Sequence, residues 1–182
     1  NPLKKTDGIS SIKKNVASLG IDALVCIGGE GTMRLSYKLH QAGIRVFGIP
    51  KTIDNDIFGT DYTFGFSSAV HIAAEAMDRL HTTAESHNRV MIAEVMGRHT
   101  GWIATYAGLA AGADVILIPE LAYPLSKIIN IIEARKKIGK KFTIICISED
   151  AKILTSKNRL LKTPLNKDEY GTVKLGGISH LL

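Results

Sequence analysis

This sequence of 182 residues has few of the residues that mark disulfide-rich, zinc-binding or membrane-spanning proteins. Its two cysteines, Cys26 and Cys146, each lie inside an apolar strand-like run, which predicts reduced core thiols rather than a disulfide framework. No Cys or His spacing matches a zinc site, and no apolar run approaches the length of a transmembrane helix. The first residues contain neither a signal-peptide core nor an Arg-rich transit pattern. We therefore expect a soluble, cytoplasmic protein.

Aromatic residues are also scarce, at 6%, which weighs against nucleic-acid binding despite a net charge of +6. A nucleic-acid interface usually interleaves basic and aromatic side chains or carries a recognition motif, and neither pattern is found here. Much of the positive charge lies on a predicted helix end and a long polar loop, where solvation is its usual explanation. We expect neither a nucleic-acid partner nor a membrane partner. The lysines concerned are Lys136, Lys137, Lys140, Lys141, Lys152, Lys157, Lys162 and Lys167.

Helical and strand-like patterns alternate along the chain, whose length suits one compact domain with a single core. This alternation predicts an α/β fold, a three-layer sandwich with a mostly parallel sheet. No linker, internal repeat or second domain is evident. The predicted helices cover residues 8–19, 32–42, 67–84, 101–111 and 125–139, with a short one near 177, and the predicted strands cover residues 22–27, 44–49, 89–95, 114–118 and 142–148.

The run from Pro50 to Asp56 places two carboxylates, a hydroxyl, an amide and an ammonium directly after a predicted strand. Open parallel sheets bind ligands at the carboxyl ends of their strands, so this loop is a candidate site. An Asx-rich turn that caps a helix is the alternative interpretation. The neighbouring motifs favour the site.

The second motif, Gly28-Gly29-Glu30-Gly31-Thr32, lies between a predicted strand and a predicted helix. Glycines let backbone N–H groups approach an anion closely, and a helix N-terminus adds partial positive charge. A glycine turn alone is weak support, because most such turns only connect two elements. Together with the carboxylate loop at the next strand end, it predicts a phosphate-binding site.

A third polar cluster, Glu94 to His99, follows another apolar strand-like run. Within it, Arg98 presents a planar fork of donors that suits a phosphate group. An isolated arginine at a strand end is more often an ion-pair partner on the surface. The sequence therefore places polar chemistry at three strand ends.

These three motifs, in this order, resemble those of the phosphofructokinases, in which a GGDGS/T turn, a (G/K)TIDND loop and an MGR strand end recur. The resemblance extends over nearly the whole chain and includes residues 61–66, 86–89, 112–120 and 147–149. It implies the phosphofructokinase fold and phosphoryl transfer to the 1-hydroxyl of fructose 6-phosphate in glycolysis. Kinases of NAD and of diacylglycerol share a GGDGT-like turn, but the other two motifs exclude them.

The resemblance also implies roles for the acceptor side of the site. Asp54 corresponds to the base that takes the proton of the sugar hydroxyl, and Asp56 to a partner of the magnesium and the reacting groups. Thr52 corresponds to a hydrogen-bond donor to the transferring phosphoryl group, and Arg98 to the cation that approaches it. The remaining substrate-binding residues implied are Arg89, from a neighbouring subunit, with Met96, Gly97 and Glu149.

On the donor side the resemblance implies that Gly29, Glu30, Gly31, Thr32 and Lys51 contact the phosphate donor, and that Glu30 holds Mg²⁺. Glu30 departs from the family's aspartate, and its extra methylene changes how a carboxylate reaches a metal. Lys51 with Gly31 resembles a subgroup of ATP users, because pyrophosphate users usually combine the lysine with an aspartate in place of Gly31. ATP is therefore the expected donor and pyrophosphate the alternative.

The resemblance implies a phosphofructokinase domain over residues 1–182 that is incomplete at both ends. Residues 1–120 correspond mostly to the donor-binding lobe and residues 121–182 to the start of the sugar-phosphate lobe. Shared active sites in the family imply a homodimer or homotetramer. The alternative from a different class is a non-catalytic fragment or paralogue that binds sugar phosphate without turnover.

Overall fold

The computed structural model describes residues 7–161, 163, 166, 167 and 173–182. Helices and mostly parallel strands alternate along the chain, which confirms the predicted α/β class. None of the helices in these residues is long and apolar enough to cross a membrane. The helices are α1 (Gly8–Ser18), α2 (Glu30–Gln41), α3 (Phe66–His87), α4 (Trp102–Ala110) and α5 (Leu125–Lys137), with a 3-10 helix at Ile178–Leu181. The strands are β1 (Leu24–Gly28), β2 (Val46–Thr52), β3 (Phe64–Gly65), β4 (Val90–Val95), β5 (Val115–Leu117), β6 (Ala122–Pro124), β7 (Thr143–Ser148), β8 (Lys152–Leu154), β9 (Asn166–Lys167) and β10 (Val173–Lys174).

The chain forms two compact units, of which the first comprises Asn1–Thr52 and Asp56–Gly65. Its sheet has the order β1-β2-β3 and is parallel throughout. Helix α2 packs on β1 and β2 and buries Leu39 against them. This unit therefore presents the carboxyl ends of β1 and β2 at one edge of a parallel sheet.

The second unit comprises Ile53–Asn55 and Phe66–Leu182 and has a parallel sheet of order β4-β7-β5. Strand β7 lies at the centre and is buried at every position, as expected for a β-branched run in a parallel sheet covered on both faces. Its side chains alternate between two cores. Ile145 and Ile147 enter a cluster with Ile128 of α5 and Ile153 of β8, whereas Cys146 enters a cluster with residues of α3 and α4. This alternation produces the helix–sheet–helix layers that the sequence predicts.

Two further strand pairs lie outside the predicted elements. Strands β6 and β8 pair in parallel, and β9 and β10 pair antiparallel. Each strand of these pairs is two or three residues long, so the sequence carries no periodic signal for it. The long polar loop that the sequence predicts after β7 thus contains β8, β9 and β10.

Two predicted boundaries at the candidate site need correction. The strand predicted to end before Pro50 continues to Thr52, because β3 pairs with Lys51 and Thr52 from the other side. The sequence does not predict this extension, because proline usually ends a strand and the pairing partner, β3, lies further along the chain. Helix α2 begins at Glu30 rather than at 32, so that Glu30 and Gly31 lie in its first turn.

The cysteines differ in their environments. Cys146 is fully buried at the centre of β7, as predicted. Cys26 is only partly buried, because β1 alternates half-buried and exposed side chains along its length. The expectation of a core position is therefore wrong for Cys26. Both cysteines are free thiols.

Candidate functional site

The turn between β1 and α2 in the first unit is compact and rich in backbone donors. Gly28 has no room for a side chain, since a Cβ there would lie 2.3 Å from Thr32 Oγ1. Gly29 is the N-cap of α2, and its carbonyl accepts hydrogen bonds from Thr32 N at 2.9 Å and Met33 N at 3.0 Å. The first N–H groups of a helix have no intrahelical acceptor. The turn therefore presents the anion-attracting end of a helix at the edge of the sheet.

Gly31 differs from the glycines before it because its Cβ position is open. A side chain added there would meet no heavy atom within 4 Å. Glycine at this position is therefore not required by packing. It leaves free space beside the N-terminus of α2.

Glu30, the predicted metal ligand, forms an ion pair with Arg34 one helical turn later. Both side chains are more than half exposed, so the pair is well solvated. Within the described part of the chain no three His, Cys, Asp or Glu side chains form a cluster suited to a metal ion. Mg²⁺ in phosphoryl-transfer sites is usually held by one or two carboxylates together with substrate phosphates. The residues present fit a magnesium ion that is held jointly by one carboxylate and the substrate phosphates. They do not fit a site in which the protein supplies every ligand.

Lys51 and Thr52 lie at the carboxyl end of β2, opposite Phe64 and Gly65 of β3. The Thr52 carbonyl accepts a hydrogen bond from Thr63 Oγ1 at 2.7 Å. The Lys51 side chain is exposed, while Thr52 is half-buried. The strand thus fixes the backbone at both residues. Asp56, also half-buried, belongs to the same unit.

In the second unit the segment from Met96 to Gly101, termed the β4–α4 turn, carries the predicted Gly97 and Arg98. Its backbone is unusual, with φ of +147° at Gly97 and +50° at Arg98. A non-glycine residue with positive φ is uncommon and marks a turn that its surroundings stabilise. A Cβ at Gly97 would lie 2.6 Å from the Thr100 carbonyl oxygen, so glycine is required there.

Two carboxylates hold this turn in place from neighbouring strand ends. Glu149, directly after β7, accepts hydrogen bonds through Oε1 from Gly97 N at 3.2 Å and Arg98 N at 2.8 Å. Glu120, after β5, accepts a hydrogen bond through Oε1 from Gly101 N at 2.8 Å. These are charge-assisted bonds to backbone N–H groups, which are among the stronger hydrogen bonds in proteins.

The predicted base, Asp54, is buried, and only 9% of its surface is exposed to solvent. Its carbonyl oxygen accepts a hydrogen bond from Thr100 Oγ1 at 3.0 Å. The following residue, Asn55, has φ of +53°, a conformation that asparagine tolerates better than most residues. The second unit therefore brings Asp54 into contact with the turn that carries Arg98.

Three predicted contacts are exposed. Met96 is 59% exposed, and the side chains of Arg89 and Arg98 are also exposed. Arg89 immediately precedes β4, where its carbonyl accepts a hydrogen bond from Thr143 N at 3.3 Å. Exposed cationic and thioether groups at strand ends are accessible to an anionic ligand. The roles of these residues stay predictions.

Sequence reasoning assigned no role to four polar residues of this region. Thr100 contacts Asp54, as described above, and His99 Nδ1 lies 2.7 Å from Asp150 Oδ2. Glu94 accepts hydrogen bonds from Gly177 N at 2.6 Å and Ser179 N at 2.9 Å, and so caps the 3-10 helix. For Glu94 the sequence did carry a signal, because a charged residue at the end of an apolar strand is unusual. No local pattern indicates the partners of Thr100 and Asp150.

A cavity of about 270 Å³ lies beside Glu149. It is lined mainly by apolar side chains, with charged groups at residues 149, 150 and 152. Glu149 therefore contributes both to the β4–α4 turn and to this cavity. The lining residues are Glu149, Asp150, Ala151, Lys152, Leu160, Leu161, Thr163, Leu175 and Ile178.

Relatives of known name match this chain closely. The ATP-dependent 6-phosphofructokinase of Corynebacterium efficiens is 56% identical over 151 residues, covering 83% of this chain and 44% of the relative. The pyrophosphate–fructose 6-phosphate 1-phosphotransferase of Amycolatopsis methanolica is 49% identical over 178 residues, covering 98% of this chain and 51% of the relative. The chain thus spans about half the length of the curated relatives it matches.

Solved structures agree with this similarity. The phosphofructokinase from Saccharomyces cerevisiae superimposes with a TM-score of 0.74 at 32% identity, over 82% of this chain and 24% of that one. The pyrophosphate-dependent phosphofructokinase from Marinobacter aquaeolei gives a TM-score of 0.72 at 27% identity, over 81% and 41% of the two chains. The sequence model of the family described as Phosphofructokinase matches residues 1–179. Its motifs, its fold and its relatives together establish that the chain belongs to the phosphofructokinase family.

Proposed function

We propose that this chain carries the reaction centre of a 6-phosphofructokinase, which transfers a phosphoryl group from ATP to the 1-hydroxyl of fructose 6-phosphate in glycolysis. The observation that carries the proposal is the contact between Asp54 and the β4–α4 turn, made by Thr100. It joins the loop with the proposed base to the turn with the proposed phosphate-binding arginine. Both loops follow strand ends, where parallel sheets bind their ligands.

In this proposal Asp54 accepts the proton of the sugar hydroxyl. An alcohol is a weak nucleophile until a base lies within hydrogen-bond reach, and such a base contributes about 10²- to 10⁴-fold in rate. Arg98 stabilises the charge on the transferring phosphoryl group, and Thr52 and Asp56 orient the reacting groups. Glu149, Met96, Gly97 and, from a neighbouring subunit, Arg89 bind the sugar phosphate.

The donor binds at the N-terminus of α2, where Gly29, Glu30, Gly31 and Thr32 surround its phosphates. Magnesium bound with the donor would neutralise phosphate charge, and Glu30 is the carboxylate that we propose to hold it. The Glu30–Arg34 ion pair must open or shift for this, which costs little at an exposed position. The chain's own contribution is the set of backbone N–H groups and the space beside Gly31.

Pyrophosphate is the second candidate donor, and Lys51 favours it. An exposed ammonium at the end of β2 occupies space beside the donor and attracts a compact anion. The open position at Gly31 favours ATP, because an added carboxylate there would compete with the nucleotide's own phosphate. Relatives of both names match the chain. We propose ATP on the strength of Gly31.

The proposed setting is a cytoplasmic homodimer or homotetramer that acts on small phosphorylated substrates. Support for the assembly is the exposed position of Arg89, which suits a contact to another subunit's substrate. Neither a nucleic acid nor a membrane has a part in the proposal. The division into a donor-binding lobe over residues 1–120 and a sugar-phosphate lobe from 121 stays a prediction.

The purified chain should phosphorylate fructose 6-phosphate when magnesium is supplied with ATP and, in parallel, with pyrophosphate. We expect the faster rate with ATP, and an Asp54→Asn variant should lose about 10²- to 10⁴-fold in kcat because the base is removed. Asp78→Asn, at an exposed position of α3, is the matched control and should retain the wild-type rate. In the same assay Lys51→Gly should raise the ATP rate and lower the pyrophosphate rate.

A folded chain that uses neither donor would contradict the proposal and favour the non-catalytic alternative. That alternative predicts sugar-phosphate binding without turnover. Trp102, the single tryptophan of the sequence, begins α4 and is 44% exposed, so its fluorescence can report binding near the β4–α4 turn. Fructose 6-phosphate that changes this signal without being phosphorylated would identify a binding protein.

A further inference from the structure

We propose that Thr100 is a positioning residue, whose hydroxyl fixes the backbone at Asp54 relative to the β4–α4 turn. The inference rests on the proposed function in so far as Asp54 is the base. Thr100 belongs to none of the sequence motifs, and its role follows from contacts that only the folded chain reveals. It touches no reacting group and acts through the residues it holds.

The Thr100 hydroxyl faces two acceptors. Its Oγ1 lies 3.0 Å from the Asp54 carbonyl oxygen and 3.0 Å from the Gly97 carbonyl oxygen. The Gly97 carbonyl also accepts the Thr100 backbone N–H at 3.0 Å, which closes the turn without the hydroxyl. Removal of the hydroxyl therefore leaves the turn closed and takes away the link to Asp54.

The β4–α4 turn, to which Thr100 links Asp54, is itself held rigidly in place. Glu149 and Glu120 hold its N–H groups from two strand ends, and Gly97 has no room for a Cβ. Thr100 is β-branched, so its χ1 has few accessible rotamers and the position of Oγ1 is restricted. Rigid neighbours and a restricted rotamer together hold Oγ1 within hydrogen-bond distance of the Asp54 and Gly97 carbonyl oxygens.

The supported group is the peptide unit between Asp54 and Asn55. Its carbonyl receives the Thr100 hydrogen bond, and the residue that follows it has φ of +53°. A left-handed residue costs free energy unless its surroundings hold it. The Cα atom of Asp54 belongs to this peptide unit, so a displacement of the unit would also move the Asp54 side chain. A shift of about 1 Å in a catalytic group can cost about 10²-fold in rate.

The test compares Thr100→Val, which keeps the shape but lacks the donor, with Thr100→Ser, which restores the donor. Thr82→Val, at an exposed threonine of α3, is the matched control for the loss of a hydroxyl. Amide hydrogen exchange is measured for the segment 53–56 in all four proteins, together with kcat and KM for fructose 6-phosphate and the donor. The exchange measurement is independent of activity.

Thr100→Val should raise exchange in segment 53–56 by about fivefold, since a hydrogen bond contributes about 1 kcal/mol and 1.4 kcal/mol corresponds to tenfold. Exchange in α5 should not change. In the same variant kcat should fall by about tenfold or more, with the donor KM within about twofold, and Thr100→Ser should recover most of both losses. Thr82→Val should match the wild type.

Unchanged exchange in segment 53–56 would overturn the inference, whatever the activity. Increased exchange with unchanged kcat in an active protein would also overturn it, because the link would then be structural only. If the wild type phosphorylates nothing, the proposed function fails. The exchange result would then still decide whether Thr100 holds Asp54.

Discussion

At the scale of the residue, the Oε1 atom of Glu149 shows how a strand end stabilises an unusual backbone. The family resemblance implies a substrate contact for Glu149, whereas in the structure Oε1 accepts hydrogen bonds from the N–H groups of Gly97 and Arg98. The two roles are compatible, because a carboxylate has about four acceptor positions. Glu149 therefore fixes the direction in which Arg98 leaves the turn, besides any contact with a ligand.

Cys146 provides a pH-dependent test of the core. Burial raises the pKa of the Cys146 thiol to about 12. In the unfolded chain the thiol releases its proton near pH 8.5. The stability that the neutral, buried thiol contributes is therefore fully present below pH 8.5. This stability is lost as the pH rises from 8.5 to about 12. The free energy of unfolding should decrease by about 2 kcal/mol from this group between pH 8 and pH 10.

Urea unfolding at pH 8 and pH 10 measures this effect as the difference between the wild type and Cys146→Ala. The other groups that titrate in this range, mainly lysines and tyrosines, are common to both proteins and cancel in the comparison. Cys26→Ala serves as the control in which Cys146 remains. If Cys146→Ala and the wild type lose the same stability between the two pH values, the thiol is not protected in the way that its burial indicates.

At the scale of the element, Asp114, which directly precedes β5, links α5 to β7 through a mostly buried ion pair and a hydrogen bond. Asp114 Oδ1 lies 2.8 Å from an Arg135 Nη atom, and its Oδ2 accepts the Ile144 N–H at 2.9 Å. Asp114→Ala should destabilise the protein by about 2–4 kcal/mol, since it removes the carboxylate partner of Arg135 and the acceptor of the Ile144 N–H. Urea or thermal unfolding checks this value.

The control for this prediction is the exposed pair of Glu75 and Arg79 on α3. Arg79→Ala should change stability by less than about 1 kcal/mol, because solvent screens an exposed i,i+4 pair. A double-mutant cycle between Asp114→Ala and Arg135→Ala isolates the coupling of the buried pair. A coupling near zero would show that burial contributes nothing to this contact.

Elements with a long periodic pattern were predictable from the sequence. Helices α1 to α5 and strands β1, β4, β5 and β7 lie within a few residues of their predicted positions. Strands β3, β6 and β8 were not predicted, because a run of two or three residues becomes a strand only through its partner. The extension of β2 past Pro50 has the same cause.

In the candidate site, too, local motifs were predictable from the sequence and long-range contacts were not. The glycine turn, the carboxylate loop and the MGR strand end were identifiable because each combines unusual residues within a short stretch. The contact of Thr100 with Asp54 joins residues 46 positions apart and has no local signal. Glu30 was predicted as a metal ligand, and its pairing with Arg34 adds a competing cation that residue type alone does not reveal.

At the scale of the whole molecule, the large buried side chains are distributed unevenly. Both core clusters lie in the second unit. Among the described residues of the first unit, the buried hydrophobic side chains are Leu39 and Ile44, while Val25 and Ile27 of β1 are 60% and 59% exposed. Hydrophobic burial is the main favourable term in folding. The first unit should therefore open at a lower free energy than the second.

Native-state hydrogen exchange tests this difference. Amides of β1 and β2 should exchange faster than those of β4 and β7, with protection in β7 close to the global value. Leu39→Ala should increase exchange in the first unit and leave β7 nearly unchanged, whereas Ile145→Val should increase exchange in β7. Equal protection of the two sheets in the wild type would contradict the expectation.

The position of β7 at the centre of its sheet bears on how the chain folds during synthesis. Strands β4 and β5 pair with β7 and not with each other, and β7 is the last of the three along the chain. Among the described residues, a nascent polypeptide that has reached β5 therefore contains no strand that pairs with β4 or β5 in the structure. The parallel sheet can assemble only after Ser148 has left the ribosome tunnel, and until then β4 and β5 are candidates for chaperone binding.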